Sequence, residues 1–204
     1  MKTKIIGIAG VAGAGKDLFY KLLSKKIKCK RFSLGDELKK EVKSYCLEHF
    51  NIDPTNCSRE EKNIIRKCLV SHASVKRSIT KGRYWLDKVD KQIKYHIFNQ
   101  LRDGLIEDYC CITDIRYNEY EHDEVSWLKN ELGGVLVHIS QFKMAGNKKI
   151  FLPPANADEA SQEDGLKQCA DYSYECEFIK GTQKEIEKKL SDSLVKDFVK
   201  IIKK

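Results

Sequence analysis

Between Ile5 and Tyr20 the chain reads IIGIAGVAGAGKDLFY: a short apolar run, a glycine-rich turn, a lysine, and then Leu18, Phe19, Leu22 and Leu23 at helical spacing. Gly10, Gly15 and Lys16 satisfy G-x-x-x-x-G-K, with Gly13 adding freedom, and they stand between a strand and a helix as this motif requires. Glycines let the backbone turn so that successive amides converge at the positive end of the following helix. Such a point binds phosphate oxygens. Gly10, Ala12, Gly13, Ala14, Gly15, Lys16 and Asp17 are therefore the expected phosphate-binding residues, with Lys16 reaching the outer phosphates.

The motif ordinarily continues with a Ser or Thr hydroxyl that binds magnesium, and neither Asp17 nor Leu18 offers one. The Asp17 carboxylate can replace it as a magnesium ligand, directly or through water; it can equally be an acid stabilised by the helix dipole. A second anchor is Asp114, which ends the apolar run YCCIT at residues 109–113, where a carboxylate can hold or orient magnesium or simply close the strand. Arg116, two residues on, projects to the same face of an extended chain and is placed to grip a phosphate with two bonds.

Along the chain, strands alternate with helices. Strands are expected at Lys4–Ala9, Lys30–Leu34, YCCIT, VLVHI (135–139) and Glu175–Ile179. Helices are expected from Gly35-Asp36 to about Phe50, from the Ser58–Glu61 capping box to about Ser74, over Tyr84–Leu101, near Glu121–Leu132, and after the Thr182–Glu185 capping box. The segment 141–170 loses all periodicity around Pro153-Pro154 and reads as a loop with a short helix near Glu159. This order predicts a three-layer α/β fold, a parallel and five-stranded sheet covered on both faces, in one domain of 204 residues.

The charge of +8, from 38 basic and 30 acidic side chains, is spread along the chain and suits anionic ligands of any kind. It forms no stripe interleaved with aromatics, so no specific nucleic-acid partner is expected. Eight cysteines make no Cys-x-x-Cys pair, and with five histidines they show no metal-ligand spacing, so reduced, mostly buried thiols are expected. The N-terminal run imitates a secretory signal, but it leads into Lys16-Asp17 and an amphipathic helix rather than a cleavage site. No stretch has the length of a membrane span, and a soluble, cytoplasmic protein is expected.

GAGKD (13–17), LGDELK (34–39), KRSITKGRYW (76–85), TDIRYNE (113–119) and ELGGVLVHI (131–139), taken in order, resemble the bacteriophage-type deoxynucleoside monophosphate kinases, relatives of adenylate kinase. The resemblance implies a phosphate-loop kinase fold in which about 36–103 form an acceptor-binding helical insertion and about 141–170 a closing lid with Lys143, Lys148 and Lys149. It implies transfer of the γ-phosphate of ATP to a (deoxy)nucleoside monophosphate, with Mg2+ held by Asp17 and Asp114. Lys16, Asp17 and Arg116 become the catalytic set, and Asp36, Lys39, Arg77, Arg83, Trp85, Asp114, Arg116 and Glu119 the acceptor-binding set. The acceptor's phosphate is already anionic, so charge neutralisation rather than a general base is the main task.

The chain departs from the family pattern at Glu37, at Leu18 where threonine is usual, and at the missing proline that brings Glu119 one residue nearer Asp114. Two other readings remain: another phosphate-loop small-molecule kinase, acting on phosphomevalonate or dephospho-coenzyme A, and a nucleotide-dependent nucleic-acid-binding protein without kinase activity. A homodimer is compatible with the sequence.

Overall fold

In the computed structural model, which describes residues 3–104, 109–178 and 181–203 and their side chains except those of Gln183 and Asp192, the run Ile5–Ala9 forms β1, buried at every position. In chain order there follow α1 (Lys16–Leu23), β2 (Cys29–Phe32), α2 (Leu34–Phe50), α3 (Arg59–Thr80), α4 (Arg83–Arg102) and β3 (Tyr109–Ile115). Next come α5 (Glu124–Ser126), which continues as a π-helical turn over Trp127–Glu131, then β4 (Val135–Ala145), β5 (Lys148–Phe151), α6 (Ala157–Cys169) and β6 (Tyr172–Glu177). The C-terminal helix consists of α7 (Gln183–Leu190), a π-helical turn over Ser191–Val195, and α8 (Lys196–Ile202).

The sheet runs β2-β3-β1-β4, with β6 on the far side of β4; these five strands are parallel and β5 alone is antiparallel. Successive residues of β1 and β3 alternate between two cores. Ile5, Cys110 and Ile112 face Trp85, Leu86, Ile93 and Trp127 on one side of the sheet. Ile6, Ile8 and Cys111 face Phe19, Leu22, Leu23, Val195 and Phe198 on the other. Helices therefore cover both faces, as a strand without a polar side demands, and the adjacent Cys110 and Cys111 pack into opposite cores. None of the eight cysteines forms a disulfide; Cys46, Cys110 and Cys111 are buried and the other five only partly so, fewer buried thiols than expected. A third, smaller core of Val42, Cys46, Ile52, Ile65 and Leu69 joins α2 to α3.

Both expected capping boxes are complete, each hydroxyl accepting the N3 amide while the N3 glutamate accepts the cap amide. α3 runs past Ser74 to Thr80, because its stop is the left-handed pair Lys81 (φ 48°) and Gly82 (φ 88°). α5 begins at Glu124 rather than Glu121, capped by Asp123. β6 begins at Tyr172, three residues before the expected start, since Tyr172, Tyr174 and Cys176 alternate onto the second core; Ile179 lies outside the described residues.

The largest correction concerns 141–170: the helix expected near Glu159 is present and longer, and the rest is largely a strand hairpin rather than loop. β4 continues to Ala145 and turns into β5, so the sheet has six strands where five were expected. The outer part of this hairpin is exposed, so its side chains carry no hydrophobic alternation. α6 spans thirteen residues, begun by Asn156, whose side chain accepts the Glu159 amide; Leu166 is its one buried residue, which leaves no periodic signal in sequence.

The hairpin's position matters. At His138, β4 pairs with Ala9 of β1 on one side and Ser173 of β6 on the other; at Phe142 it pairs with Phe151 and Glu177. β5 thus occupies the edge of β4 that β1 has just left, and the hairpin overhangs the glycine loop. No helix among the described residues is long and apolar enough to cross a membrane.

Candidate active site

The loop leaves β1 at Gly10, whose φ of 129° and contact with β4 both require glycine: a Cβ there would sit 2.1 Å from the Ile139 carbonyl oxygen. Gly13 (φ 87°) and Gly15 (φ 99°) complete the turn, and α1 starts at Lys16. The Lys16 ammonium is buried and donates to the carbonyls of Gly10 and Val11, the latter at 2.9 Å. Burial, and then the positive charge of Arg116, lower its pKa to about 8, against the pull of Glu159, Asp17 and Asp114. The Ala12 amide donates to Glu159 Oε1 at 2.8 Å. Asp17 is exposed in the first turn of α1.

Asp114, at the carboxyl end of β3, accepts from Ser33 Oγ (2.8 Å), the Leu34 amide (2.9 Å) and the Gly35 amide (2.7 Å). It ties the start of α2 to the sheet. Arg116 is exposed, with Nη1 3.5 Å from Glu159 Oε1, while its amide donates to Glu124 Oε2 at 2.6 Å. Lys16, Asp17, Asp114 and Arg116 are thus brought to one end of the sheet.

The other expected acceptor residues divide. Asp36 holds Arg31 and Lys39, whose cations keep its carboxyl below the usual range against the penalty of burial. Arg77 is sealed in: Asp123 takes both its amino groups at 2.9 Å, Glu119 lies at 3.2 Å, Glu124 at 3.6 Å, and the Tyr117 ring lies 3.5 Å from the guanidinium carbon. Its fork is engaged by carboxylates, and Glu119, expected with it in the acceptor-binding set, is one of them. Arg83 pairs with Asp87 and with Glu131 of the π-helical turn, apart from the loop group. Trp85, expected in the acceptor-binding set, is 5% exposed and packed in the first core.

Two cations escaped the sequence reading. Arg31, on β2 one residue before its end, feels the charges of Asp36, Asp114 and Asp17. Lys62, in the first turns of α3, has its pKa lowered by burial and then by Lys39, Arg66 and Arg116. The signal for Arg31 was a basic residue two positions before Ser33, the cap of α2; for Lys62 there was none.

Beside the loop lies a cavity of about 520 Å³ that touches Gly13, Ala14 and Gly15. Leu18, Leu22, Ile139, Phe178 and Leu190 give it apolar walls, and Gln141 and Glu177 supply polar groups. Leu18 is therefore a wall residue. On β4, Ser140 Oγ lies 3.3 Å from His138 Nδ1, and His138 Nε2 lies 3.0 Å from Glu163 Oε1 without the alignment of a hydrogen bond. The row is enclosed, His138 fully, so it serves as a tether between β4 and α6 rather than a nucleophilic set. Among the described residues no group of three or more His, Cys, Asp or Glu side chains is arranged to hold a metal ion.

The fold is α/β, with a mixed, mostly parallel six-stranded sheet and a glycine loop between β1 and α1. No protein-family model and no curated protein matches the chain. Among solved structures it is similar to dephospho-CoA kinase from Campylobacter jejuni, at 12% identity over 98% of each chain, with a TM-score of 0.46. It is also similar to a Thermus thermophilus protein (13% identity, 96% of this chain and 98% of that one, TM-score 0.41). A third is shikimate kinase from Acinetobacter baumannii in complex with shikimate (10% identity, 96% and 94%, TM-score 0.36).

Proposed function

We propose that the chain transfers the γ-phosphate of ATP to the phosphate of a (deoxy)nucleoside monophosphate. The observation that carries this reading is the meeting of Lys16 and Arg116 at the mouth of the glycine loop, where both groups face Glu159 and the Arg116 charge helps to lower the Lys16 pKa. One cation belongs to the donor phosphates, and the other, exposed on the strand end beyond Asp114, belongs to the acceptor phosphate. Lys39, Lys62 and Arg31 extend the positive surface on the side of the helical insertion, so the acceptor enters there. The apolar cavity beside Gly13–Gly15 receives the donor base.

Magnesium fits this donor set in the way the ion is usually bound, by one or two carboxylates with phosphates and waters supplying the rest. Asp17 would hold it directly and Asp114 through water, and the ion would neutralise the donor's outer phosphates. Lys16 steadies the charge on the transferring group, while Arg116 aligns the acceptor oxygen behind it. The attacking oxygen is already ionised, so no base is needed.

The test is a turnover panel: dTMP, dGMP, dCMP, dAMP and their ribose counterparts, with phosphomevalonate and dephospho-coenzyme A, each with ATP and magnesium and followed by ADP release. A nucleoside monophosphate as the best acceptor supports the reading; turnover confined to either of the last two replaces it. Lys16→Ala and Arg116→Ala should each lower turnover by about a thousandfold, the scale of losing one preorganised charge at the transition state.

A further inference from the structure

Three of the anion-binding groups at the loop, the Ala12 amide, the Lys16 ammonium and the Arg116 guanidinium, are already engaged within the chain. Glu159 Oε1 accepts the Ala12 amide at 2.8 Å and lies 3.5 Å from Arg116 Nη1, while Oε2 accepts the Ala155 amide at 2.7 Å. An anionic oxygen held between a loop amide and a guanidinium is the arrangement a nucleotide phosphate would make. Lys16, meanwhile, is turned onto loop carbonyls.

α6 is drawn onto this site by more than Glu159. Asp158 accepts from Tyr117 Oη, Gln162 Oε1 accepts the Asn118 amide at 3.1 Å, Glu163 faces the buried His138 at 3.0 Å, and Leu166 is buried. These positions recur at helical spacing and form one face. Three acids on the inner face of a lid oppose closure over a polyphosphate and favour closure without one.

We infer that Glu159 is a built-in stand-in for a nucleotide phosphate, so that the chain rests in a self-occupied state. A nucleotide must displace this carboxylate from Ala12 and Arg116, and α6 with it, before transfer can begin. This rests on reading residues 10–16 as a phosphate loop. The apparent affinity for any phosphate ligand is then reduced by the small fraction of molecules with α6 withdrawn. Displacement also frees Arg116, which makes the acceptor's grip depend on the donor's arrival.

The probes are pyrophosphate and ADP, titrated calorimetrically into the whole chain and into its Glu159→Gln, Glu159→Ala and Lys16→Ala variants. Glutamine keeps one carbonyl oxygen for the Ala155 amide, and so the start of α6, but it lacks the charge and the second acceptor. Both Glu159 variants should bind pyrophosphate about tenfold more tightly than the unaltered chain, the scale of one charged hydrogen bond removed from the competing state. The Ala12 amide of both variants should also exchange with solvent faster than in the unaltered chain when no ligand is present.

Equal or weaker binding by Glu159→Gln, with binding still abolished by Lys16→Ala, overturns the inference and leaves the loop reading standing. Failure of the unaltered chain and both Glu159 variants to bind either probe removes the loop reading and this inference with it. Should Glu159→Ala lose helix content by circular dichroism, the glutamine variant decides.

Discussion

Arg77 and Asp123 meet in a two-pronged ion pair, both bonds 2.9 Å long, with side-chain exposures of 6% and 0%. Asp123 also accepts the amides of Glu119, Tyr120 and Glu124, so the pair fixes the 116–124 turn, and Arg116 with it, against α3. Removing one partner of a buried pair strands the other charge: Arg77→Ala should cost about 3–5 kcal/mol. Urea denaturation measures it. Arg116→Ala, at an exposed position, should cost at most about 0.5 kcal/mol. Equal losses for the two variants would contradict this division between anchor and active residue.

Glu124 gives the same cluster a pH dependence. Complete burial, and then the Asp123 charge, push its carboxyl up to about 8, against the pull of Arg77 and the Arg116 amide. The unfolded carboxyl titrates near 4.5, so between these values the folded chain keeps a proton that the unfolded chain has lost. The stability this proton provides is complete below pH 4.5 and is lost as pH rises to about 8. Glu124→Gln, which keeps an oxygen for the Arg116 amide, should flatten the fall of Tm over that interval. An unchanged slope would place the titration elsewhere.

Lys16 shifts in the opposite direction. Burial and Arg116 lower its pKa to about 8 from 10.5, so the free protein gains stability as pH rises through that window, where the folded chain has shed a proton the unfolded chain retains. Bound phosphates favour the charged ammonium. ADP binding at a pH between these two values should therefore take up a proton, and Lys16→Met should abolish the uptake. Calorimetry in buffers of different ionisation enthalpy reads this directly.

Leu18 separates base from phosphate. Leu18→Ala removes apolar wall from the cavity beside the loop, so ADP should bind about fivefold more weakly while pyrophosphate binding is unchanged. A parallel loss for both ligands would assign Leu18 to the loop's own packing.

The glycine loop was legible because strand, turn and helix lie together in sequence, and each rule applies within a few residues. The partners of Arg77 were not. The run EYEHDE (119–124) reads as a solvated acidic stretch, yet it turns inward at Asp123 and Glu124, with 0% and 4% exposure. What decides this is a cation from α3, forty-six residues earlier than Asp123. Asp114 was visible as an acid closing a buried strand, but its donors come from the Ser33–Gly35 turn, which only the sheet order brings near. The hairpin escaped notice, and α6 was visible only as a short helix near Glu159, because their hydrogen bonds are made by backbone and acids, and hydrophobic spacing reports neither.

The division of β4 between the interior and the hairpin has a mechanical consequence. Its first residues are clamped between β1 and β6, its last pair only with β5, and the Leu152 amide is pinned to the Gln141 carbonyl at 2.7 Å. A strand anchored so deeply behaves as a cantilever, stiff and able only to flex. Travel is left to the short stretch after Leu152, with Pro153-Pro154 as the pivot and α6 as the leaf. The roof over the glycine loop is thus half fixed and half trapdoor, and on the inference drawn above a phosphate ligand would enter through the half that Glu159 latches.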